Sequence, residues 1–165
     1  MIFKPLAQLL VAGIFAAPVL AAPAGKMVLS PADKIAVFKA AGAVQRGGKW
    51  LICADQPNPS GATIEMVRDL NGDGRPEAVI NESGTFCYGS TETGYAILSK
   101  QAAGGWKVID SGSGIPSFLA TKGTGGWPDM EVGGPGFCFP VQRWNGKGYA
   151  LNRWQYEGKP CRPNR

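Results

Sequence analysis

Asp69, Asn71 and Asp73 put an oxygen-bearing side chain at every second position of the stretch Arg68-Asp69-Leu70-Asn71-Gly72-Asp73-Gly74-Arg75-Pro76-Glu77. Gly74 follows where such a loop must turn sharply, and Glu77 adds a third carboxylate. Three acids in nine residues repel one another unless a cation offsets them. Ca²⁺ is a hard cation that takes about 6–8 oxygen ligands, and one tight loop can supply most of them. The ligands expected from this spacing are Asp69, Asn71, Asp73, the backbone carbonyl of Arg75, and Glu77. The ion's expected role is structural, because every ligand comes from one loop. Asn, Asp and Gly are also ordinary turn residues, so a turn that binds nothing is the competing reading.

The stretch is not a full EF-hand loop. Its twelfth position is Ile80 rather than a bidentate Glu, and Ala78-Val79-Ile80 has the character of a strand rather than a helix. Over residues 67–80 it resembles the calcium loops of FG-GAP and VCBS-type repeats, which lie between strands. That resemblance implies the same five ligands, with Glu77 standing where those loops usually carry Asp. From residue 69 to 161, with Val132-Gly133-Gly134-Pro135-Gly136-Phe137-Cys138 inside the run, the chain looks like a group of small exported bacterial proteins. This wider likeness implies export and a single folded unit, and brings no mechanism with it.

Other chemistry is sparse. The chain has no histidine, which excludes Ser-His-Asp and Cys-His catalysis. No phosphate-binding glycine loop and no nucleophile elbow occur. Two carboxylates could serve a glycan hydrolase, but the spacing of Glu82, Glu92, Asp110, Asp129 and Glu131 selects no pair beyond the same-face Asp129 and Glu131. The aromatic set is a stronger lead. Trp106, Trp127, Trp144, Tyr149, Trp154 and Tyr156 interleave with Arg143 and Arg153. Trp127, Arg143, Trp144 and Trp154 are the expected ligand face, by stacking on sugars or as protein anchors. Cross-strand packing is the alternative use of the same rings.

These groups need elements to hold them. Ser30-Pro31-Ala32-Asp33 carries a helix start: a capping hydroxyl, a proline for the first turn and an acid at the positive helix end. One helix is expected over 31–41, stopped at Gly42. Three hairpins follow. Residues 43–46 turn through Gly47-Gly48 into 50–52, residues 95–100 turn through 103–105 into 106–109, and residues 139–144 turn through Asn145-Gly146 into 149–151. A weak repeat joins Gly74-Arg75-Pro76-Glu77 before Cys87 to Gly126-Trp127-Pro128-Asp129 before Cys138. In the second copy Asp69, Asn71 and Asp73 become Thr121, Gly123 and Gly125, so the second loop is not expected to hold calcium. Two copies are too few to close a propeller.

The address is read from the first residues. Lys4, an apolar run from Leu6 to Leu20 and small residues at 19–22 form the parts of a signal peptide over 1–22. A short lead-in over 23–29 and one β-rich domain over 30–165 complete the expected organisation. No stable membrane insertion is expected once the leader is cleaved. Four cysteines, all beyond the leader, suit an oxidising compartment. If the repeat copies pack side by side, Cys87 pairs with Cys138 and Cys53 with Cys161. The +5 formal charge is scattered apart from a denser tail of Arg143, Lys147, Arg153, Lys159, Arg162 and Arg165, and an exported protein rarely meets nucleic acid, so none is expected as a partner.

The expected fold is therefore mainly β (α+β): one short N-terminal helix, then antiparallel hairpins in a small sheet or sandwich with two repeat units and disulfides. The expected function is a periplasmic or secreted, calcium-stabilised binding module, not an enzyme. Its partner is an unknown protein or a cell-envelope glycan. A small glycan hydrolase and a purely structural envelope protein are the alternatives.

Overall fold

The structure, a computed structural model, describes residues 27–163. The expected leader over 1–22 and the lead-in as far as residue 26 lie outside the described residues. Helix α1 (Pro31–Ala40) begins where the capping residues place it. Ser30 Oγ accepts the Asp33 N–H at 3.0 Å, and the Ala41 and Gly42 N–H groups close the other end on Val37 and Lys39 carbonyls. The three hairpins form as expected: β1 (Val44–Arg46) with β2 (Lys49–Leu51), β5 (Thr93–Lys100) with β6 (Trp106–Ser113), and β9 (Phe139–Trp144) with β10 (Tyr149–Tyr156).

Between them lie β3 (Thr63–Arg68), β4 (Glu77–Ser83), a four-residue helix α2 (Thr85–Tyr88), β7 (Ile115–Lys122) and β8 (Pro128–Gly133), with β11 (Lys159–Pro160) last. The repeat becomes architecture. Strands β3-β4-β5-β6 form one antiparallel four-stranded meander, and β7-β8-β9-β10 form a second, with β11 added at its edge. Each unit runs through the same parts: strand, loop ending in proline, strand, disulfide-bearing connection, then a hairpin.

The first sheet is buried on both faces, and strand alternation divides its side chains between two cores. Ala78, Ile80, Ala96 and Leu98 face outward onto Val37 and Phe38 of α1, with Phe38 stacked 5.4 Å from Trp50 of β2. Val79, Tyr95 and Ile97 face the other way, onto Met130 of the second sheet, with Phe118, Val132 and Tyr149 packed around them. The molecule is thus a three-layer stack: helix and small hairpin, first sheet, second sheet. Gly114 turns the chain from one sheet to the next at φ +123°, and a Cβ there would lie 2.7 Å from the Gly133 carbonyl. Only glycine fits that bend.

All four cysteines are bridged, but the expected pairing is corrected. Cys53 joins Cys87, and Cys138 joins Cys161. Equivalent residues of tandem units are related by the operation that carries one unit onto the other, and nothing in that operation brings them together. Each bridge closes locally instead. Cys53 after β2 staples α2 of the first unit, and Cys161 after β11 staples the entry to β9 of the second.

Candidate functional site

The β3–β4 loop is wrapped around Asp69. One Asp69 oxygen accepts the N–H groups of Gly72 at 2.7 Å and Asp73 at 3.1 Å, and the other accepts that of Gly74 at 2.8 Å. Asn71 Oδ1 accepts the Asp73 N–H, and Asp73 Oδ1 accepts the Arg75 N–H, both at 2.9 Å. The Arg75 guanidinium reaches the other Asp73 oxygen at 2.5 Å and donates to the Lys100 carbonyl at 3.1 Å. Glu77 is fully buried at the start of β4, where its carboxylate accepts Leu70 N–H at 2.7 Å and Ser99 Oγ–H at 2.9 Å.

The five residues selected from the sequence thus form one connected turn. They do not form a finished metal cage: among the described residues no three acidic or cysteine side chains converge as a set of ligands. The donor chemistry nevertheless suits a hard cation. Asp69 Oδ2, Asp73 Oδ1 and both Glu77 oxygens accept one hydrogen bond each and keep a second lone pair. Glu77 has only neutral partners. Burial, with Asp73 and Asp69 close by, pushes its pKa up to about 7 against those two hydrogen bonds. The loop therefore holds more negative charge than its partners offset, and among the described residues Arg75 is the one side-chain cation paired to it.

The second unit meets the same problem differently. Asp129, equivalent to Glu77, is also fully buried. Arg143 forks onto both its oxygens at 2.8 and 2.9 Å, Arg153 donates at 2.7 Å, and Thr121 Oγ at 2.6 Å. The register shift between Leu151 and Arg153 sets Arg153 opposite Val141, and so on the face that carries Glu131 and Asp129. Arg153 continues to Gln155 at 3.1 Å, and Gln155 to Glu131 at 2.7 Å. The arginine hydrogen bonds hold the Asp129 carboxyl well below the usual carboxylate range. It stays charged at neutral pH and has no proton to donate, so it does not suit the general acid of a hydrolase.

The two loops touch. Gly126, in the turn before Trp127, has φ +80°, and a Cβ on it would stand 2.6 Å from the Asn71 carbonyl. Beside this contact a cleft of about 420 Å³ opens at one end of both units. Asn71, Asp73 and Arg75 form one wall, the β5–β6 hairpin contributes Gln101, Lys107 and Ile109, and Trp127, Trp144 and Lys147 close the other side. Trp127 and Trp144 lie 5.0 Å apart between ring centres, with Tyr149 edge-on to Trp144 at 5.4 Å. The Tyr149 hydroxyl fixes this cluster by donating to the Pro128 carbonyl at 2.9 Å.

Of the four residues expected as a ligand face, the structure brings Trp127 and Trp144 to this cleft and leaves two elsewhere. Arg143 is the counterion of Asp129, and Trp154 lies opposite Pro140 in β10. Neither lines the cleft. Gln101, Lys107 and Lys147 were not singled out from the sequence. The signal for them was the repeat itself, which puts the Ala103-Gly104-Gly105 and Asn145-Gly146 turns at the same end of equivalent hairpins. A larger apolar hollow of about 560 Å³ lies between Met27–Leu29 and β2–β3. Its polar lining is Lys34, Lys49, Ser60 and Thr63, and Lys49 already donates to the Pro59 carbonyl.

Of the hydrolase candidates, Glu82, Asp110, Asp129 and Glu131 are committed to hydrogen bonds with other side chains or backbone. Glu82 accepts Cys53 N–H at 2.7 Å and Tyr88 O–H at 2.6 Å. Asp110 accepts the Tyr95 hydroxyl at 2.8 Å. The two disulfides suit an oxidising environment. No helix among the described residues is long and apolar enough to cross a membrane. Comparison of the chain with known protein families, with curated proteins and with solved structures finds no match.

Proposed function

We propose that the protein is an exported, periplasmic or secreted binding module whose β3–β4 loop takes one structural Ca²⁺ and whose ligand site is the adjoining cleft. The observation that carries this reading is the meeting of the two features. Asn71 and Asp73 of the expected calcium loop line the same cleft as Trp127 and Trp144. Asp69, Asn71, Asp73, the Arg75 carbonyl and Glu77 would hold the ion, as in the FG-GAP-type loops that the sequence resembles. The ion would supply the positive charge that the crowded carboxylates lack. Ordering this loop also supports the Gly126 turn packed on Asn71, and with it the position of Trp127. Export is supported by the leader pattern over 1–22 and by the two bridges. Binding rather than catalysis is favoured because the one carboxylate among the residues lining the cleft, Asp73, is paired with Arg75.

Thermal melting with and without calcium tests the metal. For a site of about 10⁻⁴ M, as in extracellular calcium modules, 5 mM calcium adds about 2.3 kcal/mol. That is a rise of about 5–9 °C for a domain of this size. Asp73→Ala is expected to abolish the rise. An unchanged melting curve for the wild-type protein in calcium would remove the metal from the account.

A further inference from the structure

We infer that the cleft binds an acidic sugar chain, with Trp144 as the stacking platform and Lys107 and Lys147 as the pair that receives its carboxylates. This inference rests on the binding-module reading and names the ligand class of the same site.

The charge around the cleft is the first argument. Four cations line it: Arg75, Lys100, Lys107 and Lys147. Two of them are already matched. Arg75 pairs with Asp73, and Lys100 pairs with Asp33 at the start of α1 while its ammonium lies 5.5 Å from the Trp106 ring centre. Lys107 and Lys147 have no ion-pair partner among the described residues, and both are exposed. They come from different units, one from β6 and one from the β9–β10 turn. A ligand with two separated negative charges can span them, whereas a neutral one leaves both unmet.

The second argument is the shape and character of the walls. Trp144 is half-buried. Trp127 and Tyr149 pack against it, so the ring is braced before any ligand arrives. A braced, partly exposed ring suits the apolar face of a pyranose. Gln101 adds an amide group at the rim, where hydroxyls of a stacked sugar need partners. The volume falls within the roughly 300–1,000 Å³ of ordinary ligand sites and accepts a short stretch of chain. The lysines act as point charges on flexible stems, a form that follows a repeating polymer better than a single fixed geometry would.

Titration calorimetry and tryptophan fluorescence on the full mature chain test the inference. The probes are uronic-acid hexasaccharides of hyaluronan and of mannuronate, the neutral hexasaccharide of cellulose, and linear polyphosphate. The uronate sugars are expected to bind saturably and to change the tryptophan emission. The neutral sugar is expected to bind at least tenfold more weakly. Lys107→Gln with Lys147→Gln, two exposed changes that spare the fold, is expected to weaken uronate binding at least tenfold. Trp144→Ala is expected to do the same, with far-ultraviolet dichroism and the melting curve showing that the fold persists. Equal binding of neutral and acidic sugars overturns the inference. So does no binding of any uronate, or polyphosphate binding at least as tightly as the uronates. The calcium melt separates the two claims: a calcium-shifted melt without uronate binding removes the ligand class alone, and uronate binding without a calcium shift removes the metal alone.

Discussion

The β3–β4 and β7–β8 loops occupy equivalent places in the two units, each ending in a proline followed by a carboxylate buried at the start of the next strand. Glu77 in the first unit is met by a backbone amide and a serine, with Asp69 and Asp73 nearby raising the cost of its charge. Asp129 in the second is met by two arginines and a threonine. The second loop has no carboxylates at the positions of Asp69 and Asp73, and its glycines let it lie flat against Asn71. One unit neutralises its buried acid with its own side chains, whereas Glu77 in the other has only neutral partners, and on the proposed reading a bound cation meets its charge. The comparison shows how a duplicated element divides labour. On the proposed reading one copy holds the ion and the other supports it, and a cleft forms where they meet.

The largest expected effects come from the staples, one for each unit. Chain-entropy arguments give about 3.8 kcal/mol for the bridge spanning 34 residues, Cys53–Cys87. They give about 3.4 kcal/mol for Cys138–Cys161, which spans 23. Paired Cys→Ser variants measured by urea denaturation should lose stability in that order. Peptide mapping of the oxidised protein should recover 53–87 and 138–161, and a cross-unit 87–138 link would contradict the fold.

Asp129→Asn should come next. Removing one partner of a buried ion pair costs about 3–5 kcal/mol, and the part-exposed arginines reduce this to about 2–3 kcal/mol. The same substitution at Glu77 should cost only about 1 kcal/mol without calcium, since its partners are neutral. Acid sharpens the contrast. The Asp129 carboxyl is depressed in the fold, so its contribution is complete above the unfolded value of about 3.9 and is lost as pH falls below it. Stability of the wild-type protein should fall more steeply below about pH 4 than that of Asp129→Asn.

A smaller loss is expected at the contact between the loops. Gly126→Ala places a Cβ against the Asn71 carbonyl in a left-handed backbone conformation, at a cost of about 1–3 kcal/mol. It should also weaken calcium binding, whereas Gly136→Ala, also at positive φ but with nothing within 4 Å, should leave the ion unaffected.

Much of this was legible in advance, for local reasons. Ser30 and Asp33 cap α1 through contacts three residues apart, and the Gly-Gly and Asn-Gly turns set the hairpins. The acidic loop is one connected turn because the bonds within it span at most seven residues. What escaped depends on distant partners. Strand β7 begins Ile115-Pro116 and is an edge strand, where proline is tolerated but the strand pattern is blurred. Arg143 read as a ligand residue, because nothing near it in the chain announces Asp129 as its counterion. Asp33 read only as a helix-end acid, yet it also accepts Lys100 and the Trp106 indole, tying α1 to the β5–β6 hairpin. The cysteine pairing required knowing which ends of the units lie together.

Calorimetric titration of the metal-free protein with Ca²⁺ weighs the contrast between the loops most directly. The account predicts one ion per chain, no binding by Asp73→Ala, and an unchanged stoichiometry in Asp129→Asn. Zero ions would leave the first loop a plain turn, and two would show that the glycine-rich loop had kept the capacity it is argued to have lost.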